Sequence, residues 1–160
     1  IKGHFGKIKK LRRANLIKQI LGSLSLIDYP HNKLQILIAI EEDDIETLST
    51  YYQYYSIFNL PLELIIIPYS LPRTKPKACN IALKKAIGKF VVIYDAESII
   101  SPLQLKEAAH LFQKHGKNLA CIQAQLILFA SKPNLISTWI SLEYANWFAG
   151  ILPSLSKISK

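Results

Sequence analysis

Cysteine is scarce: Cys79 and Cys121 are the only two in 160 residues. Two thiols do not make a disulfide framework, so a buried core must hold the fold, and a reducing, cytoplasmic setting is expected. No apolar run reaches the roughly 18–20 residues that cross a bilayer, so no spanning helix is expected. Ile1 to Lys10 carries charge but no apolar segment, so no signal peptide is expected there. Internal repeats, low-complexity tracts and an obvious linker are also missing, which leaves one domain as the default at this length. His4, His31, His110 and His115 show no metal-ligand spacing with either cysteine. Acid is absent from residues 1–20, where Lys2, Lys7, Lys9, Lys10, Arg12, Arg13 and Lys18 stand without a counter-charge.

What is present is a globular composition. Half the residues are hydrophobic and 19% are charged. A chain of this size buries roughly two-thirds of its unfolded surface. The formal net charge is +9, with much of the excess in the first twenty residues. A basic end of this kind attracts phosphate on nucleic acid, anionic lipid or nucleotide; a solvated arm is the alternative. No recognised nucleic-acid module is present, and Glu41-Glu42-Asp43-Asp44 would repel a phosphate backbone, so nucleic acid is disfavoured as a partner.

Helical and strand patterns alternate along the chain. Leu16, Ile17, Ile20, Leu21, Leu24 and Ile27 recur at helical spacing over 11–27, and Asp28-Tyr29-Pro30 ends that helix. Leu34 to Ile40 predicts a strand covered on both faces, interrupted only by Gln35. A helix is expected over 43–58, then a strand over Leu62–Ile67. Pro76 suits the first position of a helix running to Ile87, with Gly88 as its cap. Phe90–Tyr94 predicts a third strand and Leu119–Phe129 a fourth. Ser101-Pro102-Leu103-Gln104 reads as a capping box opening a helix that ends near Gly116. Leu135–Leu152 predicts a long apolar helix carrying Trp139 and Trp147 on one face, suited to core packing or to a membrane interface. Tyr51, Tyr52, Tyr54 and Tyr55 read as packing and surface residues. The fold class expected is α/β, a mostly parallel sheet with helices on both faces, in which ligands bind beyond the C-terminal ends of the strands.

Three polar clusters fall just after strands. Asp95-Ala96-Glu97 puts two carboxylates one residue apart, pointing to one side of an extended segment. Like charges so placed are unfavourable unless a cation or donors lie between them, and hard oxygens suit Mg²⁺ or Mn²⁺. Arg73, Lys75 and Lys77 stand at a helix start, where backbone amides also favour anions. A basic loop facing an acidic, metal-ready turn is what a nucleoside diphosphate requires. Glu41, Asp43 and Asp44 offer acceptors to a base N–H or ribose hydroxyls. Solvated loops and helix-capping acids account for each cluster taken alone.

Together the clusters resemble family-2 glycosyltransferases related to bacterial cellulose synthase. The resemblance runs over LQILIAIEEDDIET (34–47), PRTKPKACNIAL (72–83) and GKFVVIYDAESIISPLQL (88–105), extended by SLIDYP, ACIQAQ and LEYANWF. It implies a nucleotide-sugar-binding domain of the GT-A type and inverting transfer from a nucleotide donor, usually UDP-linked, in polysaccharide or glycoconjugate synthesis. By that resemblance Asp95 and Glu97 are the metal ligands, Glu standing where many relatives have Asp. Lys75, Lys77 and Asn80 match the family's donor-diphosphate loop and Glu41, Asp43 and Asp44 its nucleoside-binding acids; Arg73 and Asp95 complete the expected donor-binding set. The opening strand of the family has no counterpart in Ile1 to Arg13, and the acceptor-side segment with the general base is not found before Lys160. The expectation is therefore a form shortened at both ends: a basic arm (1–14), a donor-binding half (15–153) and a basic tail (154–160), with no catalytic base. Its alternatives are a non-catalytic nucleotide-sugar-binding remnant and a basic peripheral protein at the inner face of a membrane. A complementary polypeptide is an expected partner for an incomplete domain.

Overall fold

The computed structural model describes residues 15–127 and 134–158. The expected arm over 1–14 and the end of the expected fourth strand, 128–129, lie outside the described residues. The chain forms two compact units, Ile1–Lys114 and His115–Lys160.

The first unit is α/β. Helix α1 (residues 15–25) buries Ile17, Ile20, Leu21 and Leu24 on one stripe. Strands β1 (Ile36–Glu41) and β2 (Leu62–Ile67) pair in parallel, in register from Ile36 with Leu62 to Glu41 with Ile67. Helix α2 (Ile45–Tyr54) lies in the crossover that a parallel pair demands. The stripe of α1 meets Ile27, Ile40 of β1, Tyr51 of α2 and Ile100 in one core. Leu21 is fully buried in it, and Ile67 at the end of β2 is fully buried outside it. Helix α3 (Lys75–Leu83) packs on both strands, and α4 (Gln104–His115) follows.

Several expected elements are corrected. Phe90–Tyr94 is not a strand, and neither is 119–127. A strand exists only with a neighbour to share its ladder, and among the described residues the sheet contains β1 and β2 alone. Val91, Val92 and Ile93 are accordingly more than half exposed. Phe90 stacks on Phe112, ring centroids 4.4 Å apart, and Tyr94 packs against the core. Helix α2 is shorter than 43–58 because Asp44 caps it, its side chain accepting from Thr47 N–H at 3.3 Å. Helix α3 stops at Leu83, short of Ile87, and Gly88 does not cap it. Gln35 takes over the next backbone groups: its Nε2 donates to Lys85 O at 2.9 Å and its Oε1 accepts from Ile87 N–H at 3.0 Å. Ser101 and Gln104 form no capping box, since Gln104 Oε1 instead accepts the Tyr94 hydroxyl at 2.7 Å. Helix α4 therefore begins at Gln104 rather than after Ser101. It ends where expected, with Gly116 at φ +57°, a left-handed conformation that favours glycine.

The second unit is helical. Helix α5 (Leu135–Asn146) passes through a π-helical turn (Trp147–Ile151) into α6 (Leu152–Ile158). The expected apolar helix is thus longer than Leu135–Leu152 and not uniformly α-helical. Asn134 starts it with a capping box: its Oδ1 accepts Ser137 N–H at 2.9 Å, and Ser137 Oγ accepts Asn134 N–H at 2.8 Å. Trp139 is 74% exposed. Among the described residues no helix is long and apolar enough to cross a membrane.

Candidate functional site

Parallel strands end on the same side, so the segments that leave β1 and β2 meet. Glu42 N–H donates to Ile67 O at 3.0 Å, tying the two exits together. Glu42 Oε1 accepts Tyr69 N–H at 2.6 Å and extends the tie one step further. Beyond these bonds Glu41, Asp43 and Asp44 face Arg73, Thr74, Lys75 and Ala78 around an open cavity of about 410 Å³. Two of the three clusters expected from sequence are therefore brought to one place by β1, β2 and the start of α3.

The cations that line the cavity are already paired with acids. Arg73 binds Asp43, and its guanidinium lies 5.3 Å from the centre of the Tyr69 ring. Lys75 binds Asp95, which draws the third cluster to the same edge. Both pairs are largely exposed, and exposed pairs contribute about 0–1 kcal/mol, so an incoming charged ligand can exchange them. Lys77 is placed differently. It is half-buried, donates to Pro68 O at 2.8 Å and Ser70 O at 2.9 Å, and lies 3.9 Å from Glu41 Oε2. It shapes the loop after β2 and does not line the cavity. Asn80 is exposed further along α3 and Glu97 is exposed on its turn; neither lines the cavity. Glu41 Oε2 is buried without a hydrogen-bond donor, although Glu41 lines the cavity. An unsatisfied buried acceptor costs about 1–3 kcal/mol, offset here in part by the Lys77 charge.

The Asp95–Glu97 turn is fixed without a strand beneath it. Ser98 N–H donates to Asp95 O at 2.9 Å, and Gln19 Nε2 donates to Glu97 O at 3.2 Å. Ile100 is buried in the core, and its N–H donates to Ser23 Oγ at 2.7 Å. Asp28 N–H donates to Pro102 O at 2.9 Å, and Lys106 Nζ reaches Asp28 Oδ2 at 2.6 Å. Helix α1 thus positions the acidic turn through Gln19 and Ser23. Burial raises the Tyr94 hydroxyl above its ordinary pKa, keeping it the donor to Gln104. Sequence reasoning missed Thr74, Ser23 and Gln19. Thr74 was legible as the residue before the Lys75-Pro76 helix start; Ser23 and Gln19 carry no sequence signal.

The residues that would hold a divalent ion are Asp95 and Glu97. Asp95 and Glu97 offer hard oxygens on an exposed turn, with Asp95 at the cavity edge through Lys75. Among the described residues no three His, Cys, Asp or Glu side chains are grouped to hold a metal. The remaining ligands would come from water and phosphate oxygens, the usual coordination of Mg²⁺ by one or two carboxylates.

Residues 10–154 match the profile described as glycosyltransferase like family 2, and the chain belongs to that family. It is also similar to the poly(ribitol-phosphate) beta-N-acetylglucosaminyltransferase TarS of Staphylococcus aureus, in strains Mu50 and MW2. The identity is 28% over 107 residues, which cover 67% of this chain and 18% of each relative. The chain therefore spans less than a fifth of the length of those curated relatives. No solved structure matches it. The α/β arrangement around a parallel strand pair fits part of a GT-A, Rossmann-like domain.

Proposed function

We propose that the cavity binds the donor of a glycosyl transfer, a nucleoside diphosphate sugar, most simply UDP-linked, together with Mg²⁺ or Mn²⁺. The supporting observation is the convergence of Glu41, Asp43 and Asp44 on Arg73, Thr74 and Lys75 at the ends of two parallel strands. Arg73 and Lys75 neutralise the diphosphate oxygens, exchanging their present carboxylate partners for phosphate. Asp43 and Asp44 accept ribose hydroxyls, and Glu41, which also lines the cavity, offers its carboxylate to an N–H or O–H donor of the nucleoside. Lys77 holds the loop that carries Arg73, and Asn80, exposed further along α3, is a further hydrogen-bonding group for the donor. Asp95 and Glu97 would hold the ion, which when bound neutralises the charge of the departing diphosphate. The reaction supported by this reading is inverting transfer to a saccharide or glycoconjugate acceptor. The transfer named for the Staphylococcus relatives makes the N-acetylglucosamine-linked donor the first to try.

Calorimetric titration of UDP with and without Mn²⁺ tests the reading. Metal-dependent binding is expected in the wild-type chain and is expected to be lost in Asp95→Ala. Equal binding in both proteins, or none to a folded wild-type chain, would contradict it.

A further inference from the structure

Lys75 stands where the two halves of the proposed ligand compete. Its ammonium donates to Asp95 Oδ1, so the first residue of α3 and the acidic turn are closed on one another. Asp95 is the carboxylate that a divalent ion would use, and Lys75 is a cation that a diphosphate would use. An ion coordinated to Asp95 at roughly 2.1 Å would sit beside the ammonium on the same carboxylate. Two cations held that close repel, and the pair is 54% and 60% exposed, so little packing holds it shut. Once a phosphate oxygen is present, the ammonium has an alternative anion a few ångströms away.

We propose that Lys75 is an exchangeable counter-ion that keeps Asp95 closed to a divalent cation until a diphosphate draws it off. Metal and diphosphate then bind interdependently. The inference rests on the donor-site reading above and adds the order of events at that site. Arg73 provides the internal control. It carries the same charge in the same loop, but its partner is Asp43, which is not placed as a metal ligand.

The test uses the whole chain with Mn²⁺ alone, and then UDP at saturating Mn²⁺, in wild type, Lys75→Gln and Arg73→Gln, with circular dichroism to compare folding. Lys75→Gln is expected to bind Mn²⁺ alone about two- to fivefold more tightly, the range of one exposed ion pair. The same variant is expected to bind UDP about tenfold more weakly, having lost a charge-assisted phosphate contact. Arg73→Gln is expected to weaken UDP without that gain for Mn²⁺. In wild type, each ligand should raise the affinity of the other by one shared factor, and that factor should shrink in Lys75→Gln. Unchanged or weaker Mn²⁺ binding by Lys75→Gln overturns the inference, as does an equal gain in Arg73→Gln, which would make it a net-charge effect. If wild type binds UDP with Mn²⁺ but Lys75→Gln gains nothing, the counter-ion role alone fails. If wild type binds neither ligand, the donor-site reading fails with it.

Discussion

Ser23 is a small residue on which much of the site depends. It is buried on α1, and its Oγ is the acceptor for Ile100 N–H, two links from the acidic turn. Ser23→Ala would leave that amide without a partner in a closed core. The expected loss is about 1–3 kcal/mol in urea unfolding, and metal-dependent UDP affinity should fall although no ligand contact is touched. Leu21 has no exposed surface, so Leu21→Ala is expected to cost about 2–5 kcal/mol by the same measurement. Two tyrosines set the alkaline limit. Burial raises Tyr94; burial, then the neighbouring Tyr52 and Tyr55, raises Tyr51. The folded chain therefore holds these protons more tightly than the unfolded chain. That contribution is complete below the ordinary tyrosine value of 10.0 and is lost as pH rises through the higher folded values. Unfolding free energy should fall above about pH 10, and Tyr51→Phe with Tyr94→Phe should flatten the fall.

At the scale of elements, local chemistry decides starts and stops. Asn134 was not read as a cap, yet it closes a reciprocal box with Ser137 at the start of α5. Asn134→Ala is expected to cost about 1 kcal/mol of helix stability, seen as a lower midpoint for loss of ellipticity. Both strands that form were legible as short apolar runs, and α1 as an amphipathic stripe. Phe90–Tyr94 has the same apolar signature but no strand, because strand formation depends on a partner and not on the segment itself. Gln35 was visible only as a polar interruption. Its amide spans Lys85 and Ile87, a contact between residues 50 and 52 positions away that no local pattern encodes. The site shows the same division. Asp43, Arg73 and Lys75 were readable as clusters after strands, since parallel topology carries such segments to one edge; Asp95 follows no strand and reaches that edge through its pairing with Lys75. The pairing of the cavity's cations with acids, and the use of Lys77 to hold two carbonyls, depend on loop geometry.

For the molecule as a whole, family membership is what supports the proposed reaction class, and the arrangement of charges is what supports the proposed site. Basic and acidic residues neutralise one another locally, so the candidate cavity is not a free cationic well despite the overall charge of +9. On the proposed reading a donor exchanges these ion pairs as it enters, and a divalent ion binds at the turn that Lys75 is paired with. The most direct measurement is paramagnetic broadening of backbone amide resonances by substoichiometric Mn²⁺ in the presence of UDP. The strongest broadening is expected at Asp95 to Ser98, extending to Arg73 to Ala78, and is expected to be lost in Asp95→Ala. Broadening centred elsewhere, at Glu107 or Asp28 for example, or none with UDP bound, would contradict it.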